Sequence, residues 1–160
     1  MKEKMILRMK MWVLLCVGTL LMCPSSSLAQ QYFFMPLDTR NGLSENHVKC
    51  ILQDSWGFMW FGTKNGLNRY DGSTVKRYRV DDEVLKCGNH NVSALYEDAQ
   101  HHLWVGTDQG VYIFEPSTET FRFFDTKSNL GVQVNNWIAQ IVGDKYGNIW
   151  IVSPNQGAFR

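Results

Sequence analysis

Net charge is almost absent from this chain: 16 Lys and Arg stand against 15 Asp and Glu, leaving +1 over 160 residues. A basic surface for nucleic acid is therefore not expected. Long apolar runs are missing as well. The one extended apolar stretch, Met11–Met22, falls short of the roughly 20 residues that a membrane span wants. Beyond it no window keeps a helical period. No phosphate-cradling glycine loop, zinc-ligand spacing or nucleophile elbow occurs, so no metal, cofactor or catalytic residue is assigned. Cysteine is sparse, with only Cys50 and Cys87 beyond residue 29. The two could form one disulfide in an oxidising compartment. Alternatively Cys50, beside Ile51 on a strand, is a small buried hydrophobe.

What is present begins with a leader. Lys2, Lys4, Arg8 and Lys10 precede the apolar run, and the small residues Pro24–Ala29 follow it. Charged, apolar and small-residue regions in that order make a secretory signal peptide over 1–29, cleaved after Ala29 so that the mature chain starts near Gln30. An uncleaved signal anchor is the other reading. Cys23 does not make a lipoprotein site, because bulky Met22 precedes it. The remainder, within a chain 44% hydrophobic and 13% aromatic, reads as globular.

Self-comparison organises that remainder. Asp54, Trp60 and Gly66 recur as Asp98, Trp104 and Gly110, 44 positions on, and Asp144 and Trp150 follow 46 positions later, with Gly157 one residue further out. Each unit holds short apolar runs bounded by Gly, Asp and Asn; in the first they are Val48–Gln53, Phe58–Gly62, Leu67–Tyr70 and Thr74–Tyr78. Such runs are strands, and four in about 44 residues is the repeat of a propeller blade. The expected fold is all-β: a partial β-propeller of four-stranded antiparallel blades, two complete and a third incomplete, after an N-terminal signal helix. The divisions expected are a lead-in strand and loop over 30–46, blade 1 over 47–80, a loop over 81–89, blade 2 over 90–125, a loop over 126–135 and the incomplete blade over 136–160. A ring needs about 4 to 8 blades, so the chain is expected to be a piece of a longer protein that self-associates on its own.

The repeated residues have structural work to do. Asp54, Asp98 and Asp144 open the first hairpin turn as Asx acceptors. Gly57 and Gly147 supply its positive φ, and His101, at that place in the second unit, implies a different turn there. Trp60, Trp104 and Trp150 fall mid-strand and are expected to pack between blades. Gly62 and Gly106 allow close approach of neighbouring chain. Gly66, Gly110 and Gly157 serve the next turn. The third unit departs from the pattern, with Val152 at the first glycine place and Pro154 lengthening the loop.

The string Asp-x-x-Gly-x-x-Trp-x-Gly-Thr-x-x-Gly-Leu-Asn-x-Tyr-Asp-Gly, from Asp54 to Gly72, closely resembles the two-component regulator propeller repeat. The lead-in, with Asn41-Gly42-Leu43-Ser44 and Asn46-His47-Val48, is similar to that family too. The resemblance implies the periplasmic sensing region of a hybrid two-component regulator of Bacteroides-type bacteria. It further implies a parent anchored in the inner membrane, downstream kinase and output domains, homodimerisation open to that parent, and oligosaccharide ligands that switch on glycan utilisation. On that basis the chain itself is expected to be non-catalytic and its parent a sensor histidine kinase in a phosphorelay.

Local features that suggest other chemistry resolve into surface. His101-His102 lacks a third ligand at zinc spacing, and Asp81-Asp82-Glu83 lacks the alternation of a calcium loop. Asn91-Val92-Ser93 matches a glycosylation acceptor, but strand initiation suits it better. The binding face expected of a propeller is built from loops leading into each inner strand and those joining second to third strands. Here these hold Asn46, His47, Lys64 and Asn65, then His90, Asn91, Asp108 and Gln109, then Asn136, Trp137, Asn155 and Gln156. Amides and an indole suit sugar hydroxyls and a pyranose face. A propeller enzyme, a glycosidase or quinone-dependent dehydrogenase, is the competing class. It fits less well: Gln53–Gly57 does not match a sialidase box, and dehydrogenase blades lack the Gly62–Leu67 continuation. A structural export scaffold without ligand is a third reading.

Overall fold

The computed structural model describes residues 2–21, 33–79, 91–127 and 131–160. The chain divides into two units, Met1–Met35 and Pro36–Arg160. The first carries helix α1, Lys2–Leu21. Among the described residues no helix is long and apolar enough to cross a membrane. The expected cleavage site, Cys23, Asp81–Glu83, Cys87 and His90 lie outside the described residues.

The second unit is a partial β-propeller. After a 3₁₀ turn at Thr39–Asn41 come β1 (Val48–Gln53), β2 (Met59–Thr63), β3 (Gly66–Tyr70) and β4 (Val75–Tyr78), then β5 (Val92–Glu97), β6 (Leu103–Thr107), β7 (Gly110–Glu115) and β8 (Thr120–Phe123), then β9 (Gln140–Gly143), β10 (Ile149–Ser153) and β11 (Gly157–Phe159). They form two four-stranded antiparallel sheets in sequential order, β1 to β4 and β5 to β8, and a three-stranded sheet β9-β10-β11. Corresponding bulges bend the inner strands between Val48 and Cys50 and between Val92 and Ala94.

Each core is a seam between neighbouring blades. Trp60, Leu67 and Tyr78 from blade 1 meet Val92, Leu103, Val105, Tyr112 and Phe114 from blade 2. Ala94 and Val111 from blade 2 meet Val134, Ile138, Ile141 and Ile151. Aromatic rings supply much of the first seam, with Phe114 5.5 Å from Trp60 and 4.9 Å from Tyr78, distances suited to offset and edge contacts. Because both faces of blade 2 are covered, β7 is buried at every position from Gly110 to Phe114. It shows none of the in-and-out alternation of a half-exposed strand.

Phe33–Met35, within the expected lead-in strand and loop over 30–46, have exposed side chains. One expectation needs correction here. The three tryptophans differ in burial. Trp60 is fully buried, Trp104 is half-buried against Phe124 at 4.8 Å, and Trp150 is 37% exposed.

Candidate functional site

At one end of the blades, each first hairpin is tied by a carboxylate. Asp54 accepts the backbone N–H of Trp56 (3.0 Å) and Phe58 (2.9 Å) at one oxygen and the Trp60 indole N–H (2.7 Å) at the other. Asp98 does the same with Gln100, His102 and the Trp104 indole at 2.9, 2.9 and 2.8 Å. Asp144 repeats it with Tyr146, Asn148 and the Trp150 indole at 2.8, 2.9 and 3.0 Å. Burial works to raise the Asp98 pKa, but the Trp104 indole and the His102 N–H groups outweigh it and hold the carboxyl below its ordinary value. The Asn148 and Trp150 donors hold Asp144 well below the usual carboxylate range. Each carboxylate is thus committed to joining turn to strand. The indole bond was missed in sequence, although the constant Asp-to-Trp spacing of six was its signal.

The expected difference in the second turn does not occur. His101 takes φ 67° where Gly57 and Gly147 take 92° and 83°. Its N–H donates to Asp98 O at 3.0 Å, as Gly57 does to Asp54 O at 3.0 Å and Gly147 to Asp144 O at 3.1 Å. The left-handed conformation that costs a non-glycine residue about 1–2 kcal/mol is offset by what the imidazole holds. His101 Nδ1 lies 2.8 Å from Ser55 Oγ and 3.1 Å from Glu97 Oε1, and the ring sits 5.1 Å from that of Trp56. Glu97 also accepts from Ser55 N at 2.8 Å. A serine, a histidine and a glutamate meet here, yet both contacts use the same imidazole nitrogen. A proton relay needs the two ring nitrogens on different partners, so the cluster is an inter-blade clamp. Among the described residues no group of His, Cys, Asp and Glu is arranged to hold a metal ion.

The opposite end carries the loops expected to bind. Val48 pairs with Thr63 and Val92 with Thr107, so each leading loop adjoins the next turn of its own blade. The blades are then brought side by side through the glycines. A Cβ on Gly62 would meet Val92 at 2.6 Å and one on Gly106 would meet Ile138 at 2.7 Å. Ile138 N also donates to Thr107 O at 2.9 Å, which sets Trp137 beside the β6–β7 turn.

The individual residues on this end differ. Asn46 Oδ1 is spent on Thr39 N at 2.9 Å, and the Asn65 amide reaches Ser44 O at 3.5 Å. His47, Lys64, Gln109 and Asn155 are exposed and Asn136 is half-buried. Asn91 Nδ2 donates to Asp108 Oδ2 at 3.2 Å, and Gln156 Nε2 to Gln133 O at 3.0 Å. Trp137 is 45% exposed.

Over the junction of the second and third blades, four buried polar atoms have no hydrogen-bond partner among the described residues: Asp108 Oδ1, Gln133 Nε2, Ser153 Oγ and Gln156 Oε1. The contacts of Gly110 with Val134 O and of Gln156 with Gln133 O place their loops together. Ser153 differs from its counterparts for a visible reason. Thr63 and Thr107 donate to Gly66 O and Gly110 O, each at 3.0 Å, whereas the turn from Ser153 to Gly157 is one residue longer. Gln133 and Ser153 were not singled out in sequence, though the irregular Val152–Pro154 stretch marked this turn. Two acceptors, an amide donor and a hydroxyl beside an indole can hold a polyhydroxylated ligand, since buried groups left unpaired cost about 1–3 kcal/mol each.

Cys50 carries a free thiol packed against Gly62, and burial pushes its pKa up to about 11.

Comparison with known proteins agrees with this architecture. A family model described as the two component regulator propeller matches residues 42–65 and 88–109. The chain is 48% identical over 50 residues to a curated protein named histidine kinase P4 of Formosa agariphila, a match covering 31% of this chain and 3% of that protein. An extracellular domain from B. thetaiotaomicron, assigned to a hybrid two component system, superposes with a TM-score of 0.65 at 23% identity, over 81% of this chain and 20% of that one. A second such B. thetaiotaomicron domain gives 0.53 at 22%, over 76% and 22%. At these identities the structural likeness speaks to the fold.

Proposed function

Since the chain carries two component regulator propeller repeats, we propose that it is the exported ligand-sensing segment of a two-component receptor, and not itself a catalyst. Residues 1–29 direct export, and the histidine kinase relative and the extracellular neighbours support a receptor parent. The remaining blades and downstream kinase domains are its partners. The ligand is an oligosaccharide held on the loop face over the second and third blades, beside Asn91, Asp108, Gln109, Asn136 and Trp137. One observation carries this reading: on loops that lie together at this end, Asp108, Gln133, Ser153 and Gln156 leave buried polar atoms unpaired among the described residues, and Trp137 on the adjoining loop is exposed. Sugar hydroxyls supply both donors and acceptors to such a set, and an indole covers the apolar face of the ring.

The test is a titration of soluble oligosaccharides into the purified chain, followed by calorimetry. Binding should be saturable and fall by about tenfold or more in Asp108→Ala or Trp137→Ala, because a site built to pair buried polar groups loses that much when one goes. Binding that survives both changes, or its absence across a broad oligosaccharide panel, would sink the assignment of this face.

A further inference from the structure

At the end of the blades away from the loop face, a cleft of about 290 Å³ lies between blades 1 and 2, lined by Asp54, Trp56, Phe58, Trp60, Arg69, Pro116 and Ser117. Arg69 is the one cation among the described residues of this lining. The guanidinium sits 4.7 Å over the Phe58 ring and 5.8 Å from that of Trp60. Stacking engages the flat face of a guanidinium and leaves its N–H edge available. No hydrogen bond or ion pair takes that edge among the described residues. The nearby carboxylates take their hydrogen bonds from other donors, while the Arg69 charge also acts on Glu119. Asp54 is filled by two backbone N–H groups and the Trp60 indole. Glu119 accepts Lys76 Nζ at 2.6 Å and the Tyr78 hydroxyl at 3.0 Å. At the rim, Trp56 is 57% exposed, with one ring face against His101.

The repeat does not demand this chemistry. Trp60 pairs across the sheet with Arg69, while Trp104 pairs with Ile113. The turn place held by Trp56 is held by Gln100 in blade 2, each donating its N–H to the turn aspartate. Blade 2 therefore folds without the arginine or the exposed indole, and the pair is particular to this one junction.

We propose that this cleft is a second binding site, for a small molecule carrying a carboxylate on a ring. The carboxylate accepts the free Arg69 N–H edge in the two-point geometry that guanidinium favours, and the ring lies against Trp56. The Phe58 and Trp60 rings beside the guanidinium lower the local polarity around the pair, which strengthens it.

The test titrates benzoate, and benzamide as its neutral counterpart, into the full chain while following the Trp56 indole resonance. Benzoate should shift that resonance saturably and benzamide should not. Arg69→Gln should weaken benzoate by about tenfold or more. Arg69→Lys keeps the charge but loses the fork, and should weaken it by a smaller factor. An unchanged near-ultraviolet spectrum shows that a variant is folded, and if Arg69→Gln fails this check Arg69→Lys decides. Asp108→Ala, on the loop face, should leave benzoate binding intact, which separates this site from the oligosaccharide face. Equal binding of benzoate and benzamide, no saturable shift, or full affinity in both Arg69 variants would overturn the proposal.

Discussion

At the scale of single residues, the aspartate of each first hairpin does the most. It stitches two turn amides and an indole, and at Asp98 and Asp144 the pKa is lowered, so the ionised form of those two is favoured in the folded chain. An unfolded aspartate titrates near 3.9. Below that value the unfolded chain binds more protons than the folded one. The stability these groups contribute is therefore present above about pH 4 and is lost as pH falls through their folded pKa values. Thermal melts should be flat from about pH 6 to 5 and fall steeply below about 4. Asp98→Asn should lower the plateau, since an amide has one acceptor oxygen where the carboxylate has two, and should flatten the acid fall. An acid slope unchanged by this substitution would place the sensitivity elsewhere. The recurrence of the aspartate and tryptophan was legible in sequence; their bond was not, because it depends on the hairpin register that sets Trp60 opposite Leu52. His101 misled for a related reason. Glycine marks a positive φ, but a histidine can adopt it when the side chain is held, as Ser55 and Glu97 hold this one.

At the scale of elements, the strands were legible because turn residues bound every apolar run, and Thr63, Thr107 and Ser153 close them at one repeated place. What sequence could not give was the partner each element presses on. Gly62 and Gly106 make room not for backbone alone but for Val92 and Ile138 side chains of the next blade or its leading loop. This makes a steric prediction free of backbone strain, since Gly106 is not among the residues with positive φ. Gly106→Ala should cost about 1–3 kcal/mol by overpacking, measured by urea unfolding. Ile138 has both Cγ2 and Cβ within 2.9 Å of the added methyl. Ile138→Ala should therefore recover part of that loss in the double variant, a coupling that contacting residues show and distant ones do not. Strictly additive losses would mean that Gly106 is kept for something other than the close approach of Ile138.

For the propeller unit as a whole, stability resides in seams rather than in blades. The first core takes Trp60, Leu67 and Tyr78 from blade 1 and Leu103, Val105, Tyr112 and Phe114 from blade 2. Blade 1 buries this apolar face only against blade 2, and without blade 1 blade 2 keeps only its second core, so β2 and β6 should lose structure in one event. Repeat architectures generally behave this way, with neighbour interfaces adding to weak intrinsic units. Phe114 is the residue to remove. It touches Trp60 and Tyr78 across the seam and Phe121 at 4.7 Å within its own blade. Phe114→Ala should cost about 3–5 kcal/mol. The Lys76–Glu119 pair also crosses this seam, but both side chains are partly exposed; such surface pairs add little, so it cannot hold the blades together. Native-state amide exchange separates the alternatives. Protection in Met59–Thr63 and Leu103–Thr107 should fall together in Phe114→Ala, although the substitution lies in blade 2 alone. Protection in Ile149–Ser153 should fall less, because its packing runs through the second core of Ala94, Val111, Ile138, Ile141 and Ile151. Loss confined to Leu103–Thr107, with Met59–Thr63 fully protected, would show that blade 1 stands without its neighbour and that the seam is not the unit of stability.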